Sequence, residues 1–264
     1  MSARAPLPAD TNLSLAVYLA RRELRRRYAG SALGALWSIA LPLLTIALYW
    51  VVFGLGLRIS AGAGAGFAPL LIAGILPWFA LNDALAGMTG SVTGNTPLVK
   101  RIVMPLELLP VSSLIAAMAA HLAIVAAALL VLWRLGEPPG VHLVGLFYFT
   151  GCLILFALAA GTLLALANVA FRDAAHLLAP LMILWFWATP IVWPASLVPD
   201  HLQWILSANP LHYLTQGYRW ALIGPQAGHP GATGAIWFWA ETLALAALSW
   251  AAFRTFKRQV GDLL

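Results

Sequence analysis

The sequence predicts an all-α integral membrane protein with six membrane-spanning helices, an N-terminal helix on the membrane surface and an outer re-entrant helical hairpin between spans five and six. The 264 residues are 62% hydrophobic and 9% charged, whereas a soluble domain carries about 25% charged residues. Several stretches approach the roughly 20 apolar residues that a helix needs to cross a bilayer. Twelve of the 15 Lys and Arg residues fall in segments that this arrangement places on one side of the membrane.

Residues 1–30 are predicted to form a cytosolic tail and an amphipathic helix. Apolar residues recur every three or four positions within 13–28, and arginines crowd the other faces. This pattern is typical of a helix that lies in the membrane interface and directs its arginines at lipid phosphates; a plain topology signal is a simpler, compatible interpretation. The apolar stripe is Leu13, Val17, Ala20, Leu24 and Tyr28, and the arginines are Arg21, Arg22, Arg25, Arg26 and Arg27.

Residues 31–264 are predicted to form the transmembrane domain. Pro42 lies inside the first span and is expected to kink it. Residues 195–224 divide at Asn209-Pro210 into two apolar pieces of about 12 residues, each too short to cross a ~30 Å core at 1.5 Å per residue. These pieces predict a re-entrant or interfacial hairpin. The spans are expected at about 32–57, 68–93, 108–133, 142–170, 175–193 and 235–253.

The distribution of positive charge predicts the orientation of the chain. With the N-terminus in the cytosol, the outer segments hold only Arg58, Arg134 and Arg219. If residues 195–224 made a seventh span, the basic C-terminus would lie outside and this asymmetry would weaken. Both termini are therefore expected in the cytosol, and the hairpin on the outer side.

A polar break between the second and third spans predicts a short cytosolic helix over about 95–104. Thr96 is expected to cap this helix, Pro97 to be its first residue and Pro105 to stop it. Short helices of this sort are docking elements more often than catalytic ones. The segment comprises Asn95, Thr96, Pro97, Leu98, Val99, Lys100, Arg101, Ile102, Val103 and Met104.

Three ionisable residues lie within the predicted spans. A charged Asp at a helix centre costs ~2.5–3.5 kcal/mol on insertion scales, so Asp83 should face protein or water, or be protonated. Glu241 lies nearer the outer surface. His121 is expected to be a hydrogen-bonded interior residue. A structural role is favoured for the two acids, and a proton-coupled pathway is the second interpretation.

Aromatic residues concentrate toward the outer ends of the first and fifth spans and in the hairpin. One interpretation is the usual aromatic belt at a membrane–water interface. The other is a surface on which sugar rings stack, because the CH faces of sugars pack on aromatic rings. The candidates are Tyr49, Trp50, Phe53, Trp185, Phe186, Trp187, Tyr213 and Tyr218.

The sequence carries no motif for enzymatic chemistry. AGAGAG at 61–66 lacks the lysine of a phosphate-binding loop. HExxH and CxxC motifs are absent, and a lone Cys152 offers neither an intrachain disulfide nor a metal site. No catalytic residue, metal, cofactor or nucleic-acid partner is therefore expected for the chain itself.

Several blocks resemble the permease subunits of type 2 ABC exporters for bacterial polysaccharides, which export O-antigen, capsule or teichoic acid. RRELRRRYAGSALGALWSIALPLL at 21–44 has the Arg-rich helix, the RY, the Ser-x-Leu-Gly, the Trp and the Pro of that family. LVKRIVMPLELLPVSSL at 98–114 resembles its coupling-helix region. The later blocks follow in the same order: FRDAAHLL (171–178), TPIVWPASLVP (189–199) and NPLHYLTQGYRWALIG (209–224).

The resemblance implies a homodimeric permease in the bacterial inner membrane, surrounded by membrane lipids. Two copies of a separate ABC ATPase would hold ATP and Mg²⁺ and dock on 95–104, with Lys100 and Arg101 as contacts. The cargo would be an undecaprenyl-linked polysaccharide that moves from the cytosol to the periplasm or cell surface.

The resemblance also implies site residues. Spans one and five line the pore in that family, so the aromatic candidates above become candidates for glycan contact. Arg21, Arg25 and Arg26 are candidates for the diphosphate of the lipid carrier. An ABC exporter for a drug or small lipid, and an integral membrane glycan or lipid transferase, are the alternatives.

Overall fold

The computed structural model describes residues 9–59, 66–97, 105–171 and 173–263, and all regular secondary structure among them is helical. Short 3₁₀ turns over Gly34–Leu36 and Val141–Leu143 lead into two of the long helices. The helices are α1 (Ala9–Tyr28), α2 (Trp37–Tyr49, continued by a π-helix over Trp50–Gly56), α3 (Phe67–Ser91), α4 (Leu108–Arg134), α5 (Val144–Ala170), α6 (Ala174–Ala188), α7 (Gln203–Ser207), α8 (Pro210–Ile223) and α9 (Ala232–Leu263).

Helix length and composition confirm the all-α membrane class. Within the described ranges, five helical stretches are long and apolar enough to cross a bilayer: Trp37–Gly56, Phe67–Ser91, Leu108–Arg134, Val141–Ala170 and Ala232–Thr255. Pro42 lies within α2 without ending it, and the departure from α-helical hydrogen bonding comes later, at the π-helical Trp50–Gly56.

The fifth predicted span is shorter than expected. α6 has 15 residues, which reach only about 22 Å at 1.5 Å per residue. It ends at Ala188 because Thr189 precedes a proline and takes an extended conformation, with φ −108° and ψ 131°. The arrangement with six spans therefore stays a prediction.

α1 packs on the protein through a face that only partly coincides with the predicted stripe, of which Ala20 is buried. Ala16, Leu19 and Ala20 are buried, and Leu19 joins an apolar cluster at the ends of α3, α4 and α5. Leu13, which belongs to the predicted stripe, is 64% exposed. The buried face is set by contact with the rest of the chain, which the periodicity of one helix does not reveal.

α3 is the central helix of the fold, and α8 packs beside it. In the most apolar stretch of α3, 67% of residues are buried, against 6% for Trp37–Gly56. Helical structure is interrupted at Asn209-Pro210, where Asn209 caps α8. Of the two predicted hairpin pieces, the second forms the 14-residue α8, whereas the first holds only the five-residue α7 after two 3₁₀ turns.

Candidate functional site

An ion pair joins α1 to α3. Nη1 of Arg27 donates to Oδ1 of Asp83 at 2.6 Å, and its Nε donates to Oε1 of Glu23 at 3.4 Å. Gly87 leaves room for the guanidinium, since a Cβ there would lie 2.8 Å from Nη2. Burial alone would lower the pKa of Arg27, but the two carboxylates outweigh it and the pKa is raised. Asp83 therefore faces protein, and a fixed cation balances its charge.

The five arginines of α1 occupy two environments. Four are exposed: Arg21, Arg22, Arg25 and Arg26. The side chain of Arg27 is only 21% exposed and is held by Asp83. The expected contact of Arg27 with lipid phosphates stays a prediction, and in this structure two carboxylates hold its guanidinium. The other four remain candidates for that contact.

A cavity of about 320 Å³ lies beside Asp83, between α2, α3 and α4. Aromatic rings and polar side chains share its walls, a mixture that suits ligands with both apolar faces and hydroxyl groups. Sequence reasoning missed this cavity because its walls come from three separate helices. The residues that define its character are Trp37, Ser38, Thr45, Phe79, Asn82 and Asp83.

Aromatic rings join α2 to α6. Tyr49 stacks on Phe186 with ring centroids 5.6 Å apart, and Phe53 lies 6.3 Å from Trp187. Trp187 in turn packs edge-on against Phe186 at 5.3 Å. The structure thus brings together candidates that the sequence placed on two separate spans. We call Tyr49, Phe53, Phe186 and Trp187 the aromatic cluster.

The candidates for glycan contact differ in exposure. Trp50 and Trp187 are 40% and 47% exposed, and Tyr49 and Phe53 are half-buried. Three others are covered within the single chain: Phe186 (4% exposed), Tyr213 (5%) and Tyr218 (0%). The glycan contact of these three stays a prediction, and within the single chain neighbouring side chains cover their rings.

Hydrogen bonds of Asn209 connect the start of α8 to the end of α6. Its Oδ1 accepts from the backbone N–H of Leu211 at 3.0 Å and from Nε1 of Trp185 at 2.9 Å. Its Nδ2 donates to Oγ1 of Thr189 at 2.9 Å. One side chain therefore caps α8 and fixes the position where α6 stops. Trp185 uses its only donor in this contact, which gives it a structural role.

The hydroxyl of Tyr218 links α8 to α4 and α5. It lies 2.9 Å from Nε2 of His121 and 2.9 Å from Oγ1 of Thr150. His121 is 1% exposed, so the hydroxyl gives its buried Nε2 a partner on another helix, whereas its buried Nδ1 has no hydrogen-bond partner among the described residues. His121 is thus a hydrogen-bonded interior residue.

Asn168 is a junction that sequence reasoning missed. Its Nδ2 donates to the carbonyl of Thr89 and to Oγ1 of Thr93, both at 3.0 Å. Its Oδ1 accepts from the backbone N–H of Ala175 at 3.2 Å. One buried amide therefore joins α5 to the end of α3 and to the start of α6. No local motif marks it, because two of its partners lie 75 and 79 residues away.

The structure describes the first three residues of the predicted docking segment. Asn95 ends a 3₁₀ turn over Thr93–Asn95, and Thr96 and Pro97 are helical. Thr96 does not cap the helix as predicted, since its own backbone is helical and its Oγ1 donates to the carbonyl of Thr93 at 2.8 Å. The other residues lie outside the described ranges: Leu98, Val99, Lys100, Arg101, Ile102, Val103 and Met104.

Two of the three ionisable residues singled out inside the long helices have a side-chain partner, and the two partners differ. Asp83 pairs with Arg27, and His121 bonds to Tyr218. Glu241 is half-buried on α9 and forms no ion pair with any side chain that the structure describes. Among the residues that the structure describes, no three His, Cys, Asp or Glu residues lie close enough together to hold a metal ion.

Comparison with known proteins gives consistent matches over most of the chain. Residues 15–223 match the family described as ABC-2 type transporter. The chain is 29% identical over 207 residues to the O-antigen export system permease protein RfbA of Myxococcus xanthus. It is 26% identical over 206 residues to two proteins of the same description from Klebsiella pneumoniae. Each match covers 78% of both chains.

Proposed function

This chain belongs to the ABC-2 type transporter family, and from that membership we propose that it is the membrane subunit of an ATP-driven exporter that moves a lipid-linked polysaccharide out of the cytosol. The similarity to three O-antigen export permeases over 78% of each chain carries this proposal. Among the described residues, five helical stretches are long and apolar enough to cross a membrane, which supports it. The chain has no phosphate-binding loop in its sequence, so a separate ABC ATPase would hold ATP and Mg²⁺.

A second copy of the chain would complete the translocation path. Trp37–Gly56 is only 6% buried within the chain, and Leu177, Leu181 and Leu184 of α6 are 59%, 58% and 65% exposed. Because the aromatic cluster joins α2 to α6, the two helices present one apolar surface, which we call the α2–α6 face. Pairing of this face about a two-fold axis would cover it and place Trp50 and Trp187 near the boundary between subunits.

The ATPase would dock on residues 95–104, with Lys100 and Arg101 among its contacts. A displacement of this segment would move Thr93, which lies two residues before it. Thr93 is bonded to the amide of Asn168, and that amide is bonded to Ala175 at the start of α6. The aromatic cluster would transmit a shift of α6 to α2. Closure of an ATPase pair would thereby change the path between the two subunits.

The cytosolic end of the path would collect the cargo. The exposed arginines of α1 would lie among lipid phosphates, and Arg21, Arg25 and Arg26 would attract the diphosphate of an undecaprenyl-linked glycan. Its first sugars would reach the cavity beside Asp83, where Trp37 offers an aromatic face. In this orientation both termini lie in the cytosol, and the chain lies in the bacterial inner membrane.

Co-purification tests the ATPase partnership. The tagged permease should bring down an ABC ATPase from its own membranes, and Lys100→Glu with Arg101→Glu should reduce the recovered ATPase at least tenfold. Arg254→Glu, which reverses an exposed charge on α9 outside the docking segment, is the matched control. If the double variant recovers the ATPase as the wild type does, the docking assignment fails.

Deletion of the gene tests the cargo. We expect surface polysaccharide to disappear and lipid-linked glycan to accumulate in the cytosolic leaflet, with both restored by the wild-type gene. Normal surface polysaccharide in the deletion strain would reject the polysaccharide cargo. It would leave the two alternatives, a drug or small-lipid exporter and a membrane transferase.

A further inference from the structure

A second cavity lies at the outer end of the molecule and holds an arginine that has no acidic partner. The cavity measures about 390 Å³ and is enclosed by the start of α3, the loop after α6, α8 and the turn after α8. Arg219 of α8 forms part of its wall, and within the described ranges no carboxylate lies within ion-pair distance of it. The neighbouring residues 60–65 read SAGAGA and contain no acid. We call this space the outer cavity.

Backbone carbonyls position the guanidinium of Arg219. Its Nε donates to the carbonyl of Leu70 at 3.0 Å, and its Nη2 donates to the carbonyl of Ile191 at 2.8 Å. Gly74 makes room for it, because a Cβ there would lie 2.6 Å from Nε. A guanidinium carries five N–H donors and stays protonated. Two of the five are used, so the group keeps donors for a ligand at a fixed position.

The carbonyl bonds leave the charge of Arg219 uncompensated. Taking a charge out of water without a counter-ion is costly. Arg27 shows the ordinary arrangement in this fold, since its guanidinium meets the carboxylates of both Asp83 and Glu23. Backbone carbonyls also accept from neutral donors, so these two bonds alone do not require a cation. An anionic ligand that binds in the outer cavity would therefore explain why a cation stands at this position.

The remaining walls of the outer cavity suit a sugar. Phe67 and Trp193 supply aromatic surface, while Ser196, Gln216 and Gln226 supply polar groups. Oε1 of Gln216 is covered in this rotamer and has no hydrogen-bond partner among the described residues, so rotation of this half-buried amide in the cavity wall would let it accept from a hydroxyl. Small-molecule pockets of about 300–1,000 Å³ typically combine apolar walls with a few polar groups in this way.

We propose that the outer cavity binds a sugar unit that carries an oxyanion, either a carboxylate or a phosphate. Arg219 holds the anion, Gln216 accepts from a ring hydroxyl, and Trp193 or Phe67 packs on the apolar face of the ring. This inference rests on the proposed function, because the exported glycan supplies the ligand. It narrows the cargo to polysaccharides that contain acidic units, which the outer cavity contacts as they leave the protein.

Saturation-transfer NMR on the full chain with its ATPase, in lipid nanodiscs, tests the site with defined probes. The probes are glucuronate, glucose 1-phosphate and glucose, with inorganic phosphate as competitor. We expect a signal at least fivefold stronger for an anionic sugar than for glucose, and the stronger anionic probe identifies carboxylate or phosphate as the preferred group. Equal signals for all three sugars, or displacement of glucuronate by phosphate alone at equal concentration, would overturn the proposal.

Two variants locate the binding. Arg219→Gln should reduce the signal of the anionic sugar to that of glucose. Because Arg219 also holds two backbone carbonyls, Gln216→Glu provides an independent variant that keeps those bonds and places a carboxylate one helical turn from the cation. Arg134→Gln, which removes an exposed outer-side arginine elsewhere, is the control and should leave the signal unchanged. A folded Gln216→Glu protein that binds glucuronate as the wild type does would overturn the site.

The combined results of these experiments distinguish a failure of the binding site from a failure of the proposed function. A complex that exports polysaccharide but gives no signal with either anionic sugar retains the function and rejects the outer cavity as a binding site. A complex that binds anionic sugar in an Arg219-dependent way, from a strain whose deletion leaves surface polysaccharide normal, keeps the site and rejects the proposed cargo.

Discussion

Nη1 of Arg27 lies 2.6 Å from Oδ1 of Asp83, although 56 residues separate the two along the chain. The pair fixes the end of α1 to α3, and Glu23 supports it from one turn earlier in α1. It joins two residues for which the sequence indicates unrelated roles, a lipid-phosphate contact and an acid within a membrane span. Each of the two charges needs a counter-ion in the fold, and the other residue supplies it.

Asp83→Asn is expected to destabilise the protein by about 1–3 kcal/mol, because it leaves the half-buried Arg27 without its main counter-ion. The side chains of the pair are 21% and 38% exposed, so solvent screening keeps the effect below that of a fully buried pair. Thermal unfolding in nanodiscs measures it. Arg26→Gln is the control, since its exposed contact with Glu23 should contribute under about 0.5 kcal/mol. Equal effects of the two variants would mean that the pair does not anchor α1.

Tyr218→Phe is expected to destabilise the protein by about 1–3 kcal/mol, because it leaves Nε2 of the buried His121 and the hydroxyl of the half-buried Thr150 without this partner. Tyr148→Phe makes the same chemical change where the residue is 47% exposed; its hydroxyl accepts from Nε1 of Trp239 at 3.1 Å and lies 3.2 Å from the hydroxyl of Tyr213. Because Tyr148 is exposed, water can take the place of its hydroxyl at these partners, so the control should lose less. Chemical denaturation of both variants in detergent gives the comparison. A smaller loss for Tyr218→Phe than for Tyr148→Phe would contradict the role of the buried hydroxyl.

Gly217 lets α8 pack directly against α5. A Cβ added at Gly217 would overlap the ring of Phe149, which is itself buried. Gly217→Ala should therefore destabilise the protein by about 1–3 kcal/mol through overpacking. Gly151→Ala is the matched control in α5, where a Cβ would meet nothing within 4 Å. That change should stabilise by up to ~1 kcal/mol, since alanine favours a helix. Melting temperatures that move in the same direction for both would refute the packing argument.

The long apolar helices could be predicted from the sequence to within a few residues. α4 occupies Leu108–Arg134 and the fourth span Val141–Ala170, against predictions of 108–133 and 142–170. Their ends are marked by polar or charged residues, and their apolar runs admit no other structure in a membrane. The class of the protein follows from the same runs.

Residues whose position depends on contacts between helices could not be predicted in this way. The buried face of α1, the junction at Asn168 and the Arg27–Asp83 pair all depend on partners far away in sequence. The aromatic candidates lie on the expected helices, yet Phe186 and Tyr218 are covered by neighbours. Composition places a ring near the membrane surface, but only packing decides whether it is open to a ligand.

Asn168→Ala is expected to lower polysaccharide export while the ATPase still co-purifies. The change removes the amide that joins Thr93 to Ala175, so motion of the docking segment would no longer reach α6. It also removes the partner of the backbone N–H of Ala175, where water can replace part of the lost bond because Ala175 is exposed. We expect at least a fivefold lower export rate at normal protein abundance, measured as surface polysaccharide per cell. Asn82→Ala, in the wall of the cavity beside Asp83, keeps the junction intact and should leave the assembled complex as stable as the wild type. Wild-type export in Asn168→Ala would remove the junction from the coupling path.

Cysteine cross-linking tests whether the α2–α6 face joins two copies of the chain. Leu41, Leu44 and Leu48 share one side of α2 and are 56%, 62% and 60% exposed, and residues near a two-fold axis meet their own copies. At least one of the three Leu→Cys variants should form a covalent dimer in membranes treated with a short bifunctional maleimide. The native Cys152 is buried and should not react. Leu122→Cys and Leu130→Cys on α4 are equally exposed controls, at 64% and 63%, and should remain monomeric on a denaturing gel. Dimers from α4 but not from α2 would place the subunit boundary at α4 and would mean that the α2–α6 face contacts lipid.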